Sequence, residues 1–245
     1  MATKKKKVLF VIVEGDSDSQ FFYDELQRKY TNELVLIKAY NGDIFTDPEL
    51  QGVEIRERIR QFFIKRIGEL KLKDFLGILH FSDTDGSFIP DDNIRVNVNQ
   101  EINVLYRENG IFVNSIEQQE GLHYRNKIKR VNTQTVRFID HITYNKVKIP
   151  YRLFYLSQHL EHVVFNELNV PQNQKQKKII SFLKDMQGES TIFNLLSSHF
   201  PPVQDIDHKH VESWNYIYQD IHSLQRYTNA ALMYEYIDQL LAGRT

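Results

Sequence analysis

Acidic side chains follow two predicted strands of this chain, at the point where each strand ends. Glu14 comes directly after the apolar run 8–13, and Asp83 and Asp85 follow the run 75–81. Because open α/β sheets place their ligands outside the carboxyl ends of the strands, we expect these carboxylates to share one crevice. Crowded carboxylates raise each other's pKa unless a cation neutralises them. Hard oxygen ligands at this position therefore predict Mg²⁺ or Mn²⁺.

Two further carboxylates could complete such a site. Asp18 lies four residues after Glu14, where a helix is expected to begin, so the two side chains can face the same crevice. Glu161 follows a later apolar run that ends at Leu156. The candidate metal ligands are therefore Glu14, Asp18, Asp83, Asp85 and Glu161.

The elements that would position these residues alternate between strand and helix in the first half of the chain. Short apolar runs predict strands over 8–13, 34–39, 75–81 and 111–116, and helical spacing of apolar residues predicts helices over 18–29 and 53–70. This order predicts an α/β fold with a parallel sheet, right-handed crossovers and helices on both faces.

The second half is more polar and its pattern is less regular. The basic stretch 117–148 fits either a helix or a loop, and an apolar run over 151–156 should precede a helix that begins near Gln158. After residue 171 the chain reads as three or four helices, broken at Gly188 and at Pro201-Pro202. We therefore expect an α/β catalytic domain over 1–170 and a helical region over 171–245. The stretch 223–229 is distinctive, but it indicates no mechanism.

The composition excludes several classes of protein. Of the 245 residues, 41 % are hydrophobic and 26 % are charged, which excludes a disordered or low-complexity chain. The absence of cysteine excludes disulfide scaffolds and thiolate metal sites. The longest apolar run is far shorter than the roughly 20 residues of a membrane span. Acidic residues follow that run, unlike in a secretory signal, so we expect a cytoplasmic protein with no membrane partner. With a net charge of −1, any nucleic-acid binding must use local patches.

The acidic positions resemble those of a known family. Val13-Glu14-Gly15 after the first strand and Asp83-Thr84-Asp85 after the third are similar to the TOPRIM domain, which topoisomerases, primases and several nucleases share. The spacing of Glu14 and Asp18, with a downstream Ser157 and Glu161, is closer to the TOPRIM nucleases of OLD-type and abortive-infection systems. That family pattern places its late serine and glutamate two residues apart, whereas here they are four apart. The resemblance covers about 6–167.

The resemblance implies a fold and a chemistry. It implies a TOPRIM-like, Rossmann-like sheet and a Mg²⁺- or Mn²⁺-dependent nuclease that uses two ions on a phosphodiester bond. Glu14, Asp83 and Asp85 would be the catalytic residues, with Glu14 acting either as a ligand or as a general acid/base. A basic side chain commonly steadies the phosphate, and the candidates for this nucleic-acid contact are Lys127, Lys129 and Arg130.

The resemblance also implies partners. Such a nuclease would be the toxic effector of a bacterial anti-phage system and would work with an ATPase sensor. No Gly-x-x-x-x-Gly-Lys-Ser/Thr segment occurs in this chain, so that ATPase would be a separate subunit. The substrate could be DNA, tRNA or another RNA, and a homodimer is also compatible with the resemblance.

Two other interpretations stay open. The run 79–87 also resembles the first motif of haloacid-dehalogenase phosphatases, in which Asp83 would accept the phosphoryl group and Asp85 would be the acid/base. Ser157 and Lys184 would then take the next two roles, but no late strand with paired acids follows. In the other interpretation the sheet is a non-catalytic module that binds a nucleotide or a protein partner, with aromatic side chains of the helical region at an interface.

Overall fold

A five-stranded sheet forms the centre of the molecule. The structure is a computed structural model that describes residues 7–30, 35–186 and 191–243. The strands lie in the order β2-β1-β3-β8-β7; the first four are parallel, and β7 pairs antiparallel with β8. The strand bounds are β1 Lys7–Val13, β2 Val35–Asn41, β3 Phe75–Asp83, β7 His141–Tyr144 and β8 Val147–Leu156.

A small second sheet and eight α-helices are the other main elements in the described part of the chain. The second sheet has the order β4-β6-β5, with bounds β4 Ile94–Val96, β5 Val104–Arg107 and β6 Gly110–Val113. The helices are α1 Asp16–Tyr30, α2 Ile55–Ile67, α3 Ile116–Val136, α4 Leu160–Phe165, α5 Gln172–Asp185, α6 Thr191–Ser198, α7 Lys209–Ile217 and α8 Leu232–Ala242. Across the three described ranges, none of them combines the length and the apolar character that a membrane crossing requires.

Helices cover both faces of the large sheet, as the alternation of strands and helices predicts. On one face α1 buries Phe21, Phe22 and Leu26 against β1 and β3, and α4, α5, α6 and α8 pack on the same side. On the other face α2 buries Ile59 and Phe63, and α7 buries Trp214 and Ile217. The protein is therefore an α/β protein with a mostly parallel, Rossmann-like sheet.

The order of the strands creates a crevice at one edge of this sheet. The chain runs from β1 to β2 on one side and then crosses to β3 on the other side of β1. Where the direction of winding reverses in this way, a crevice opens beyond the carboxyl ends of the two central strands. The ends of β1 and β3, with Glu14 and Asp83, lie at this point.

The structure corrects the prediction of a fourth sheet strand over 111–116. A strand does pass through Ile111–Val113, but it pairs with β4 and β5 in the small sheet. Ser115 then caps α3, accepting a hydrogen bond from the amide of Gln118, so Ile116 is already helical. The fourth parallel strand is β8, which contains the apolar run 151–156. An apolar run indicates a buried strand but carries no information about which sheet it joins.

The stretch 117–148, which the sequence leaves undecided, is helix followed by hairpin. Helix α3 continues to Val136, and β7 and β8 are joined by Asn145-Lys146, both with positive φ, as a tight two-residue turn requires. The expected helices after 171 are present as α5 to α8, with Pro201-Pro202 between α6 and α7. Gly188, the other predicted break, lies outside the described residues.

The segment 223–229, which indicates no mechanism in the sequence, holds the carboxyl end of β8. Asn229 accepts a hydrogen bond from the amide of Tyr155 at 2.8 Å, and Thr228 donates to the carbonyl of the same residue at 2.6 Å. The amide of Ser157 donates to the Tyr227 carbonyl at 2.8 Å. These groups form hydrogen bonds with the edge of β8 that β7 does not cover. The helical region therefore holds the carboxyl end of β8 in place, next to the candidate site.

We predict that Asn229→Ala destabilises the fold. Asn229 is fully buried, and its side chain also donates to the Ser213 hydroxyl at 3.1 Å. Removing it leaves the buried amide of Tyr155 without a partner, which costs about 1–3 kcal/mol. Urea unfolding should show this loss. Asn215→Ala, at an exposed asparagine of α7, is the control and should stay within about 0.5 kcal/mol of the parent. Equal stabilities would contradict the role of Asn229.

Candidate functional site

A buried lysine joins the carboxylates at the ends of β1 and β3. Lys129, from α3, is 1 % exposed, and its Nζ lies 3.0 Å from the Glu14 carboxylate and 2.7 Å from Asp85 Oδ2. Glu14 also accepts a hydrogen bond from the Ser82 hydroxyl at 2.7 Å. The structure therefore brings together Glu14 and Asp85, which are 71 positions apart in sequence.

The loops after β3 and β8 hold each other in place. The Thr84 amide donates to the Leu156 carbonyl and the Asp85 amide to the Gln158 carbonyl, both at 2.9 Å. Asp85 and Gln158 have φ values of 48° and 44°, a left-handed conformation that aspartate tolerates better than most residues. At Gly86, φ is 63°, and a Cβ would lie 2.7 Å from Leu224, so only glycine fits there. This backbone geometry positions the Asp85 carboxylate at the Lys129 ammonium.

Asp18 lies in the first turn of α1. Its Oδ2 accepts a hydrogen bond from the Gly15 amide at 2.9 Å, the reach-back contact of a capping box. Asp18 therefore has a structural role as well as a place at the crevice. Its pKa is raised to about 7, because burial and the nearby charge of Glu161 outweigh Lys175, the Gly15 amide and His159.

Glu161 lies in the first turn of α4 within a second set of charges. Its Oε2 is 3.0 Å from His159 Nδ1 and 3.2 Å from Lys175 Nζ. Burial alone would raise its pKa, but these two partners lower the pKa to about 2. The other oxygen, Oε1, is buried and has no hydrogen-bond partner in the described part of the chain. Glu161 is thus an ionised carboxylate with one oxygen left unsatisfied.

The pKa values divide the carboxylates into two kinds. Burial raises the pKa of Glu14 to about 8 despite the charge of Lys129. The pKa of Asp83 is also well above its usual range, first because of burial and then because of Asp18, Glu14 and Asp85. Burial would raise the pKa of Asp85 as well, but Lys129 and Arg125 hold it well below its usual range. Basic side chains therefore keep Asp85 and Glu161 ionised, but they do not compensate the burial and the negative neighbours of Asp83.

Of the three predicted phosphate-contacting residues, only Lys129 lies among the carboxylates. Its pKa is raised despite burial, because Asp85 and Glu14 favour the charged form. Arg130 donates to the carbonyls of Ser87 and Ile89 at 3.0–3.3 Å and so holds the loop after β3. Lys127 is exposed on the outer side of α3. The nucleic-acid contact of these residues stays a prediction.

Sequence reasoning missed three side chains near the carboxylates. They are Ser82, Arg125 and Lys175. Arg125 lies one helical turn before Lys129, donates to the Asp85 carbonyl at 3.1 Å and bonds to the Tyr106 side chain. The i, i+4 spacing of the two basic residues is a signal that the sequence contains. This spacing places Arg125 and Lys129 on the same side only if 117–136 forms one helix, which the sequence leaves undecided.

The donor set suits a hard divalent cation. In the described ranges no three His, Asp or Glu side chains are arranged as a ready-made metal site, and Lys129 lies between two of the candidate ligands. However, no described residue donates a hydrogen bond to the Asp83 carboxylate, and Glu161 Oε1 is also unpartnered. Glu14, Asp18, Asp83, Asp85 and Glu161 are the residues that could hold such an ion.

Comparisons with known proteins do not extend this description. No protein-family model, no curated protein and no solved structure matches the chain at a significant level.

We predict that Asp83→Asn stabilises the cation-free protein, and increasingly so as the pH rises. In the unfolded chain Asp83 releases its proton near pH 4, whereas in the native state its raised pKa keeps the proton bound to higher pH. The free energy of unfolding therefore decreases as the pH rises from about 4 through the raised pKa. Asparagine removes that penalty. Buried histidines also affect the pH dependence, since the pKa of His80 and of His162 is lowered mainly by burial, but both proteins share that effect.

The measurement is thermal unfolding of both proteins in EDTA at pH 5, 7 and 8.5. The melting temperature of the variant minus that of the parent should grow with pH. The matched control is Asp92→Asn, whose carboxylate is exposed to water. A difference between variant and parent that stays constant from pH 5 to 8.5 would show that Asp83 is not crowded by charge.

Proposed function

We propose that this protein is a TOPRIM-like, metal-dependent nuclease that hydrolyses phosphodiester bonds with Mg²⁺ or Mn²⁺. One observation carries the proposal: the Asp83 carboxylate is unpartnered and lies at the strand-order reversal with three acidic neighbours. Divalent ions bound by such carboxylates make a water molecule more acidic and stabilise the leaving oxygen of a phosphodiester.

The chain's own residues can be assigned roles from their contacts. Asp83, Asp85 and Glu14 would hold the ions on one side, and Asp18 and Glu161 would hold them on the other. In the cation-free protein Glu14 has a pKa of about 8 and can hold a proton at neutral pH, so its alternative role, if it does not bind an ion, is that of a general acid/base. Ser82 orients it through the hydrogen bond to Oε1. Lys129 supplies a fixed positive charge beside the position of the substrate phosphate.

The proposal extends to partners on the strength of the resemblance. The substrate would be DNA, tRNA or another RNA, and the protein would be the toxic effector of an anti-phage system controlled by a separate ATPase subunit. A net charge of −1 provides no overall attraction to nucleic acid, so such binding would depend on a local basic patch. Arg125 and Lys129 on one side of α3 and Lys175 on α5 provide positive charge on two sides of the crevice.

The phosphatase interpretation fits this geometry less well. It requires Asp85 to deliver a proton, but Lys129 and Arg125 keep the pKa of Asp85 well below its usual range. It also assigns no role to Glu14, although that carboxylate shares the ammonium of Lys129. Trapping of an aspartyl-phosphate adduct on Asp83 with a small phosphoester would revive it.

We predict that Glu14→Gln removes metal-dependent cleavage. Loss of one carboxylate from a metal-assisted site should lower the rate by roughly a hundredfold or more, while the fold is retained. The assay incubates plasmid, single-stranded DNA and total tRNA with Mn²⁺ or with EDTA. Glu117→Gln, at an exposed glutamate of α3, is the matched control and should cleave like the parent. Full cleavage by Glu14→Gln would refute the assignment, as would cleavage by the parent in EDTA.

We also predict that Lys129→Gln separates ion binding from cleavage. Without the ammonium, Mn²⁺ no longer competes with it for the Glu14 and Asp85 oxygens, so the Mn²⁺ concentration that half-saturates the protein should fall. Cleavage should nevertheless fall by roughly a hundredfold, because the charge beside the phosphate is lost. Mn²⁺ binding can be followed by electron paramagnetic resonance and cleavage by gel. Weaker Mn²⁺ binding in the variant would show that Lys129 supports the ion instead of competing with it.

A further inference from the structure

A cavity is lined by Arg152 of β8, by residues that follow α3 and by residues of α7 and α8. It has a volume of about 290 Å³ and lies between the end of α3, the middle of β8, the start of α7 and α8. Its chemistry is set by Arg137 and Arg152, with Lys209 and His210 at the α7 side. The volume is at the lower end of the range that holds a small ligand. The acidic crevice lies at the carboxyl end of β8, whereas Arg152 is four residues earlier, so this cavity is a separate feature.

The two arginines are held by aromatic faces and not by hydrogen bonds. The Arg137 guanidinium lies 4.4 Å from the ring centre of Phe138 and 4.7 Å from that of Tyr218. The Arg152 guanidinium lies 4.3 Å from the ring centre of Tyr236. Within the described ranges neither side chain donates a hydrogen bond, and Arg137 Nε is buried without a partner. Stacking of this kind orients a guanidinium while leaving its in-plane N–H groups free.

The carboxylates around the cavity do not use these donors. Glu235 pairs with Lys209 at 2.5 Å, and Asp140 pairs with His141 at 2.5 Å and is 84 % exposed on its side chain. The third carboxylate, Asp207, is exposed in the loop before α7. Both arginines line the cavity, and no described carboxylate is paired with either of them, so an external oxyanion could supply the acceptors that the protein does not provide.

We propose that this cavity binds a phosphate group, with Arg137 and Arg152 as its principal ligands. The planar guanidinium matches the paired oxygens of a phosphate and is weakly hydrated, which favours binding in a half-enclosed pocket. The phosphate could belong to a free phosphorylated metabolite such as a nucleotide, or to a strand of nucleic acid. The shared chemistry is the phosphate oxyanion, and the experiment separates the two sources.

The test is calorimetric titration of the whole chain with inorganic phosphate, with adenosine monophosphate and with a single-stranded oligonucleotide. EDTA is present throughout, so that no divalent ion draws phosphate into the acidic crevice. We expect saturable binding that Arg137→Gln and Arg152→Gln each weaken by roughly ten- to a hundredfold. Arg152→Lys keeps the charge but loses the paired N–H geometry, so it should be intermediate. Lys29→Gln, at an exposed lysine of α1, is the control and should bind like the parent.

The outcomes separate the two sources of phosphate. Binding of inorganic phosphate or of the nucleotide that depends on both arginines supports a free ligand. Binding of the oligonucleotide alone, with the same dependence, supports a phosphate of nucleic acid. If no probe binds, or if the arginine variants bind as tightly as the parent, the proposal is overturned. Thermal unfolding of each variant checks that lost binding is not lost fold.

Discussion

The candidate site depends on one buried ammonium among carboxylates. Lys129 contacts both Glu14 and Asp85, and without it these two carboxyl groups would lose the ammonium that they share. Because the lysine is on α3, this contact also fixes the long helix against the edge of the sheet where the strand order reverses. A single side chain thus links the position of a helix to the charge of a crevice. Breaking such a buried arrangement by removing one partner is costly, which makes it a strong constraint on the fold.

The rest of the molecule holds the strand ends that meet at this ammonium. The loop after β3 donates backbone hydrogen bonds to the end of β8 and to the loop that follows it, and the segment 223–229 forms hydrogen bonds with the open edge of β8. Its Arg226 also donates to the carbonyls of Val163 and Val164 at the end of α4, the helix that carries Glu161. The helical region is therefore part of the support of the crevice, since the backbone that carries Glu161 and Asp85 is tied to it.

The sequence predicts the parts of this design that follow from local periodicity. Buried strands read as apolar runs and α1 and α2 read as amphipathic helices, so the placement of Glu14 and Asp83 at one crevice follows from their position after strands. The sequence does not predict which strands pair with each other, because an apolar run such as 111–116 has the same pattern in either sheet. In the sequence, Lys129 is one of several basic residues that would be expected on an exposed surface. It is buried because one face of α3 packs against the carboxylates of the crevice. The cavity lined by Arg137 and Arg152 cannot be predicted from the sequence either, because tertiary packing alone brings these two residues together.

The crevice contains more acidic than basic side chains. The five candidate carboxylates face Lys129, Arg125 and Lys175, which leaves a surplus of two negative charges when all are ionised. In the cation-free protein that surplus is reduced by protons, as the raised pKa values of Glu14 and Asp18 indicate. A divalent cation would neutralise the same surplus, so protons and cations would compete for the same oxygens. Affinity for such an ion should therefore increase from pH 6 to pH 9, because the pKa values of about 7 for Asp18 and about 8 for Glu14 lie within this interval.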